Sequence, residues 1–288
     1  MIALLAHGLA SPLGPADIAG PALAAGLSRA ERLAHAPVLG VGEDASPAVG
    51  HAVLDKGDHD QRCRRLLDLA REELGPCQPD AVLLCRPLED PLRWGPDGMP
   101  SLPCDEQFAL GHAAPAAALL RADELIASRA CRRVLIAAVD SLLDPLSLAW
   151  LASTDRLRGP ETADGVAPGE AAACWLVGPA EPAALAQIVA GFQPAGPRSA
   201  VADAERWLRA AGDTPCGHDW VDLSGEPWRA RAWGHVAHRL GRTQEHTPAE
   251  NWGDLGAASM LAAGCVSSRP ALLWMLGEDG SAGVVHLL

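Results

Sequence analysis

The chain has 288 residues, of which 49% are hydrophobic and 20% charged, and its formal net charge is −13. This composition is typical of a folded globular protein with a sizeable core, and it excludes a mainly disordered chain. The acidic balance disfavours nucleic acid as a partner, because binding a polyphosphate needs a basic surface.

No apolar run approaches the roughly 20 residues that span a bilayer, so no membrane association is expected. The apolar start of the chain has no Lys or Arg before it, which argues against a signal peptide and for a cytoplasmic protein. The eight cysteines include no Cys-x-x-Cys pair. Reduced core cysteines are therefore favoured over disulfides or zinc, and we expect neither a metal nor a cofactor.

Strand-like and helix-like runs alternate along the chain, which predicts an α/β architecture. The predicted strands are Ile2–Ala6, Ala81–Cys85, Val134–Val139, Ala172–Val177, Ala186–Ala190 and Ala282–Leu287. The predicted helices are Gln61–Leu74, Pro115–Ser128, Pro145–Ala152, Ala200–Ala211, Pro227–Leu240 and Leu255–Ala263. Continuous apolar strands of this kind are typical of a sheet that is covered on both faces.

Segments rich in Pro, Gly or polar residues divide these elements. Surface loops are predicted at Asp90–Cys104, Gly191–Pro197 and Thr243–Asn251. The Pro- and Ala-rich segment Gly178–Ala184 is the best boundary between two parts of the chain, 1–180 and 181–288. Gly40-Val41-Gly42-Glu43 lacks the remaining glycine of a dinucleotide loop and carries no weight.

The stretch from Gly111 to Glu170 contains a helix rich in small residues, a strand that ends at Asp140, a further helix and the turn Asp164-Gly165-Val166-Ala167-Pro168-Gly169-Glu170. This order resembles the centre of a β-ketoacyl synthase of the thiolase-like superfamily. Gly8–Gly14 is similar to that family's first loop. The resemblance implies a thiolase-like αβαβα layered fold made of two similar halves, with the C-terminal half truncated.

In the family, a nucleophilic cysteine precedes the small-residue helix, at a helix N-terminus that favours the thiolate. Counting along the resemblance puts His112 at that position, and Pro115 suits the first turn of the helix. A structural or capping role, contact with a ligand, and catalysis all stay open for His112. A helix N-terminus is expected to disfavour its protonated form.

The family's two catalytic histidines are also replaced in the resemblance. Ser224, in Val221-Asp222-Leu223-Ser224-Gly225, stands where the first would be, and Asp254 stands where the second His or Asn would be. An ionised aspartate cannot donate a hydrogen bond to an enolate, and its charge would oppose one. The degenerate set His112, Ser224 and Asp254 therefore predicts that condensation chemistry has been lost.

Other residues are weaker candidates. Cys104 is a displaced nucleophile or a surface-loop cysteine, and Trp252 is a ligand contact, a rim residue or core. A carboxylate–histidine cluster is formed by Asp222, Asp254, Glu226 and His218 if the second half folds as expected. A solvated polar rim is favoured over a metal site, because no ligand spacing is diagnostic.

The resemblance implies a catalytically inactive ketosynthase-like protein that acts as a binding, chaperone or adaptor partner. Two analogies apply: the cysteine-less subunit of actinobacterial polyketide systems, and accessory proteins of type VI secretion effectors. A protein partner is expected, in a homodimer or heterodimer formed through residues 115–140. The alternative is an acyltransferase or hydrolase, acting on acyl-CoA or acyl carrier protein through His112, Cys104 or Ser224.

Overall fold

The computed structural model describes residues 2–33, 38–39, 46–94, 98–99, 101–180, 184–212, 218–242 and 245–288. Within these ranges, ten strands form one mixed sheet. The strands before residue 181 are β1 (Ile2–Ala10), β2 (Ala81–Cys85), β3 (Glu106–Phe108), β4 (Val134–Ser141) and β5 (Glu170–Pro179). Those after it are β6 (Ala186–Gln193), β7 (His218–Val221), β8 (Glu245–His246), β9 (Ala271–Leu276) and β10 (Ala282–Leu287).

The two sets of strands have the same topology. From the centre outwards the first set runs β1-β5-β4-β2-β3, and the second runs β6-β10-β9-β7-β8. In each set the first two pairings are antiparallel and the last two parallel, and β1 pairs antiparallel with β6 at the centre. The chain therefore contains the two similar halves that the resemblance implies, although its sequence shows no extended repeat.

Helices cover both faces of this sheet. They are α1 (Ala16–Ala24), α2 (His59–Leu74), α3 (Pro91–Trp94), α4 (Ala114–Ala127), α5 (Pro145–Ser153), α6 (Ala200–Ala211), α7 (Pro227–Leu240), α8 (Ala249–Trp252) and α9 (Ser259–Val266). α4 contacts β2 and β4 of the first half and also β6 and β10 of the second, and α9 likewise contacts strands of both halves. These two helices form a central layer, while α2 and α6 lie in the outer layers, which confirms the αβαβα order.

One glycine in the first strand of each half allows the outer helix to pack close to the sheet. A Cβ atom on Gly8 of β1 would lie 2.1 Å from the carbonyl oxygen of Ala70 in α2. A Cβ atom on Gly191 of β6 would lie 1.8 Å from the carbonyl oxygen of Ala210 in α6. Both helices thus approach the strand more closely than any other residue would permit.

All the predicted elements are present, and the predicted bounds of two strands and two helices are those of the structure. β1, β4, β5 and β6 extend beyond their predicted ends, and Leu255–Ala263 divides into a 3-10 turn followed by α9. The sequence missed α1, β3, β7 and β9. The predicted loop Asp90–Cys104 contains the buried residues of α3, and Thr243–Asn251 contains β8 and α8.

Some predictions fall outside the described residues. They are the Gly40–Glu43 motif, Cys216 and the middle of the predicted boundary, so the division at 180/181 stays a prediction. The seven cysteines of the described ranges are free thiols. No helix in the described part of the chain is long and apolar enough to cross a membrane.

Candidate functional site

His112 lies in a 3-10 turn, Gly111–Ala113, at the head of the central helix α4. Gly111 adopts φ +57°, a left-handed conformation that favours glycine, and its N–H donates to the carbonyl oxygen of Arg86. Pro115 follows in the first turn of α4, where its missing N–H costs nothing. This turn directs His112 into the interior, and only 4% of its surface is exposed.

Both ring nitrogens of His112 face carboxylates from the second half. Nδ1 lies 2.6 Å from Oδ2 of Asp222, the residue after β7, and Nε2 lies 3.3 Å from Oδ1 of Asp254. Asp222 and Asp254 are each 3% exposed. The three side chains form a buried ion triplet that bridges the two halves, and we call it the His112 triplet.

The backbone of Asp254 is held by the turn that resembles the family motif. Its N–H donates to the carbonyl oxygen of Ala167, and its own carbonyl accepts from the N–H of Gly169. Its Oδ1 also accepts from the N–H of Gly256, at 2.8 Å. Backbone contacts that do not involve His112 therefore hold Asp254 in place.

A chain of further ion pairs continues from Asp222. Arg229 of α7 is fully buried and donates from Nη1 to Asp222 at 2.8 Å, and its Nε lies 3.4 Å from Glu226. Arg156 of the first half then joins Glu226 at 2.7 Å and Glu278 at 2.6 Å, both in the second half. The two ion pairs of Arg229 lie within the second half, and every other ion pair of this network joins one half to the other.

The charges of this network set the pKa values of its members. Burial and the charge of Arg229 disfavour the imidazolium of His112, but Asp222 and Asp254 outweigh them and raise its pKa to about 9. Burial alone would raise the pKa of Asp222, yet His112 and Arg229 hold it below its usual range. Burial, aided by Asp222, raises the pKa of Asp254 against the pull of His112 and Arg229. The helix N-terminus is expected to disfavour the protonated imidazole, but the two adjacent carboxylates outweigh such an effect.

A second buried cluster lies beside the first. Asp140, at the end of β4, accepts from Arg93 of α3 at 2.9 Å and lies 3.5 Å from Nε2 of His59. Burial would raise the pKa of Asp140, but Arg93 and His59 hold it far below its usual range. Nearby, Arg62 of α2 makes two contacts of 2.7 Å with Glu170, which ends the family-like turn. These pairs anchor α2 and α3 to the sheet.

The space between the two clusters is very small. It is lined by both ion groups, including His112, Asp254, Asp140, Arg93 and Arg156, and the volume open to the centre of a water molecule is about 10 Å³. A single water needs roughly 10–15 Å³ by this measure. The site therefore has room for about one water molecule and none for an acyl chain.

The structure brings together only part of the predicted set. His112 and Asp254 meet, but the residue that completes their contacts is Asp222, two positions before the predicted Ser224. Ser224 Oγ instead lies 3.4 Å from Oε2 of Glu226. The motif alignment was therefore displaced by two positions, in the segment that follows the end of β7.

The predicted polar rim is also wrong. Asp222, Asp254 and Glu226 are buried rather than solvated, and His218 is exposed at the start of β7. Trp252 is 0% exposed and packs in the core, so it is not a rim residue. Cys104 is half-buried and packs against the outer core.

Sequence reasoning missed the arginines of the site. The sequence analysis did not name Arg93, Arg156 and Arg229, although each is partly or fully buried. One signal was available: Arg229 lies beside Ala232 and Trp233, on the apolar face of a predicted helix. In the described residues, no group of three or more His, Cys, Asp or Glu side chains has the geometry to hold a metal ion.

Comparisons with known proteins give a likeness in structure but none in sequence. No protein-family model matches the chain, and no curated protein matches it. The oxazolomycin ketosynthase domain OzmH KS7 of Streptomyces albus JA3453 superposes with a TM-score of 0.71 at 13% identity, over 99% of this chain and 74% of that one.

Two other solved structures cover 99% of this chain and 98% of their own. The AntDE:AntF complex, a type II PKS acyl-carrier protein with its ketosynthase, gives a TM-score of 0.75 at 14% identity. The ishigamide ketosynthase/chain length factor gives 0.70 at 17% identity. Likeness at these identities establishes the fold, which is the thiolase-like fold of ketosynthases.

Proposed function

We propose that this chain is a catalytically inactive ketosynthase-like protein that works by binding another protein, as an adaptor or chaperone. The observation that carries the proposal is the His112 triplet. Its imidazole occupies the head of the central helix, both of its nitrogens face carboxylates, and about 10 Å³ of free space remains beside it.

This arrangement opposes chemistry at His112. A nucleophilic or basic imidazole needs an unprotonated nitrogen that a substrate can reach. With a pKa raised to about 9, the ring is protonated at neutral pH, and each ring nitrogen lies within 3.3 Å of a carboxylate oxygen. The residue acts as a buried cation that holds Asp222 and Asp254 together.

The other candidate nucleophiles are no better placed. Burial raises the pKa of the Cys104 thiol, so it is less ionised than a free cysteine. The neighbour of Ser224 is Glu226, whose pKa falls to about 2 because Arg229 and Arg156 outweigh the effect of burial. Such a carboxylate is a weak base and does not activate a hydroxyl group.

The known structures that share this fold support a protein partner. Solved structures with this fold include two described as a ketosynthase with a chain length factor. We propose that the chain pairs in the same manner with a second chain of this fold, of its own or another kind. An accessory role in a type VI secretion system or a biosynthetic cluster remains a prediction from the resemblance.

The segment predicted to form the interface, residues 115–140, needs one refinement. All eight residues of β4 are buried, and β4 pairs with β2 on one side and β5 on the other, so it offers no free edge. α4 exposes part of its surface, including Leu120 at 36%. The strand at the free edge of the first half is β3, which precedes His112. A pairing surface in this region would use α4 and β3.

Intact-protein mass spectrometry tests the loss of chemistry. The protein is incubated with acetyl-CoA, malonyl-CoA and acyl-loaded carrier protein, with an active ketosynthase as the positive control. We expect no covalent adduct and no thioester hydrolysis above the rate in buffer. A stoichiometric adduct that disappears in the His112→Gln, Cys104→Ser or Ser224→Ala variant would establish the acyltransferase alternative. A partner is tested by co-expression with ketosynthase-like products of neighbouring genes; isolation of an inert monomer from every pair would contradict the binding role.

A further inference from the structure

The outer face of α7 has the opposite charge to the rest of the molecule. From Pro227 to Gln244 the chain has four Arg, two His and no Asp or Glu, within a protein of net charge −13. Arg229 points into the buried network. Arg231, His235, His238 and Arg239 are exposed on the opposite side. We call these four residues the α7 cationic face.

The α7 cationic face is not paired with carboxylates from the described part of the chain. Among the described residues, none of its four side chains lies within 4.0 Å of a carboxylate, and Arg231 donates only to the backbone of Pro227. On α2, an outer helix of the first half, Arg64 pairs with Asp60 at 2.8 Å and Arg65 with Glu72 at 3.7 Å. Charged residues on a surface helix are often paired with opposite charges on the same helix. The unpaired charges on the outer face of α7 differ from this arrangement.

A groove runs beside the α7 cationic face, between α7 and α6. Its volume is about 480 Å³, and its apolar lining includes Val201, which is 54% exposed, and Leu208. Glu205 also lines it, but its carboxylate lies 3.6 Å from Arg209 of the same helix.

We propose that this groove binds an acidic amphipathic helix of another protein. Arg231, His235 and His238 follow the i, i+4, i+7 spacing of one helix face. From Arg231 to Arg239 the face extends about 12 Å, roughly two helical turns. A partner helix would place Leu-type side chains against Val201 and Leu208 and its carboxylates against Arg231 and Arg239. A polyphosphate is disfavoured, since the acidic remainder of the molecule repels it.

This surface goes beyond the proposed function, because it lies on the outer layer and does not involve the His112 triplet. Its test therefore has a separate readout. A fluorescein-labelled peptide of about 16 residues, with one leucine face and Glu beside it, is compared with a matched peptide that has Gln at each Glu position. Binding to the full-length protein is followed by fluorescence anisotropy.

Two double variants give the contrast. Arg231→Gln with Arg239→Gln neutralises the face, and Arg64→Gln with Arg65→Gln neutralises two exposed arginines of α2. We expect the Glu peptide to bind the wild type, to bind the first variant at least about tenfold more weakly, and to bind the second without change. Raising NaCl from about 50 to about 300 mM should weaken binding as well.

Three results would overturn the proposal. They are equal binding of the Glu and Gln peptides, no binding of the Glu peptide, and an affinity that the first variant leaves intact. Sedimentation velocity covers one rival occupant: a wild-type dimer that the same variant dissociates would assign the face to a second copy. The substituted arginines are exposed, so we expect both variants to fold like the wild type. Unchanged urea midpoints will check this. Acylation assays report on the catalytic proposal whatever the peptide does.

Discussion

The same 3-10 turn occurs once in each half of the molecule, before the central helices α4 and α9, and the two copies are used differently. Gly111 and Gly256 adopt φ +57° and +53° in Leu-Gly-x-Ala sequences. The residue after the glycine is His112 in the first half and Ala257 in the second. A Cβ atom at Gly111 would meet nothing closer than 3.6 Å, whereas one at Gly256 would lie 1.9 Å from Oδ2 of Asp140.

The difference shows how one backbone motif supports two kinds of buried charge. The first turn supplies a charge itself, through the His112 side chain. The second leaves space for a charge from another element, since Asp140 of β4 packs against Gly256. The turns also meet, because Asp254, just before the second, faces His112 in the first. Duplicated topology thus places two buried ion groups side by side.

Removing the main counter-ion of the first turn should have the largest effect. Asp222→Ala leaves both His112 and Arg229 without their closest carboxylate in the interior, so we expect a loss of about 3–5 kcal/mol in the free energy of unfolding. Urea denaturation measures it. Asp60→Ala removes the partner of exposed Arg64 and should cost at most about 1 kcal/mol. Equal losses in the two variants would mean that the His112 triplet adds no stability.

Alkaline pH should act through the first turn alone, because Ala257 cannot titrate. The pKa of His112 is about 9 in the folded protein and about 6.5 when unfolded, so the native state binds more protons between these values. Its contribution to stability is complete below pH 6.5 and is lost as pH rises through 9, for a total of about 3 kcal/mol.

Urea midpoints from about pH 7 to about pH 9.5 measure this loss. His112→Gln should flatten the alkaline slope relative to wild type, even if the variant is less stable throughout. A wild-type stability that does not change across this range would show that His112 is not charged in the folded protein.

The two glycines offer the finest comparison. Gly111→Ala should cost about 1–2 kcal/mol for a left-handed alanine. Gly256→Ala should cost that and about 1–3 kcal/mol more, because its Cβ atom displaces Asp140. In the double variant with Asp140→Ala the extra cost of Gly256→Ala should vanish, as measured by a double-mutant cycle. Equal single costs would contradict the packing of Asp140 against the turn.

The sequence was most informative where local pattern and burial agree. The apolar strand Ala81–Cys85 and the helices Ala200–Ala211 and Pro227–Leu240 end where predicted, because caps and turn residues mark their boundaries. β7 and β9 were missed, since short apolar runs such as Ala271–Leu276 do not distinguish strand from helix.

The candidate site was predicted in part. His112 and Asp254 each follow or precede a recognisable Leu-Gly turn, so their neighbourhood could be expected from the resemblance. The sequence also contains a short internal repeat that the sequence analysis did not use: Leu110-Gly111-His112-Ala113 and Leu255-Gly256-Ala257-Ala258. Asp222 was named only as a ligand or rim residue, because a strand end does not reveal which side chain points inward.

By itself, the sequence determined the α/β class, the approximate positions of the longest helices and the replacement of a cysteine-like position by His112, since these depend on local periodicity and composition. Only the tertiary structure decided that His112 is a buried cation between Asp222 and Asp254, which lie more than a hundred residues away along the chain. The ionisation of a buried group depends on burial and on charges within a few ångströms, and only the packing of the two halves supplies these.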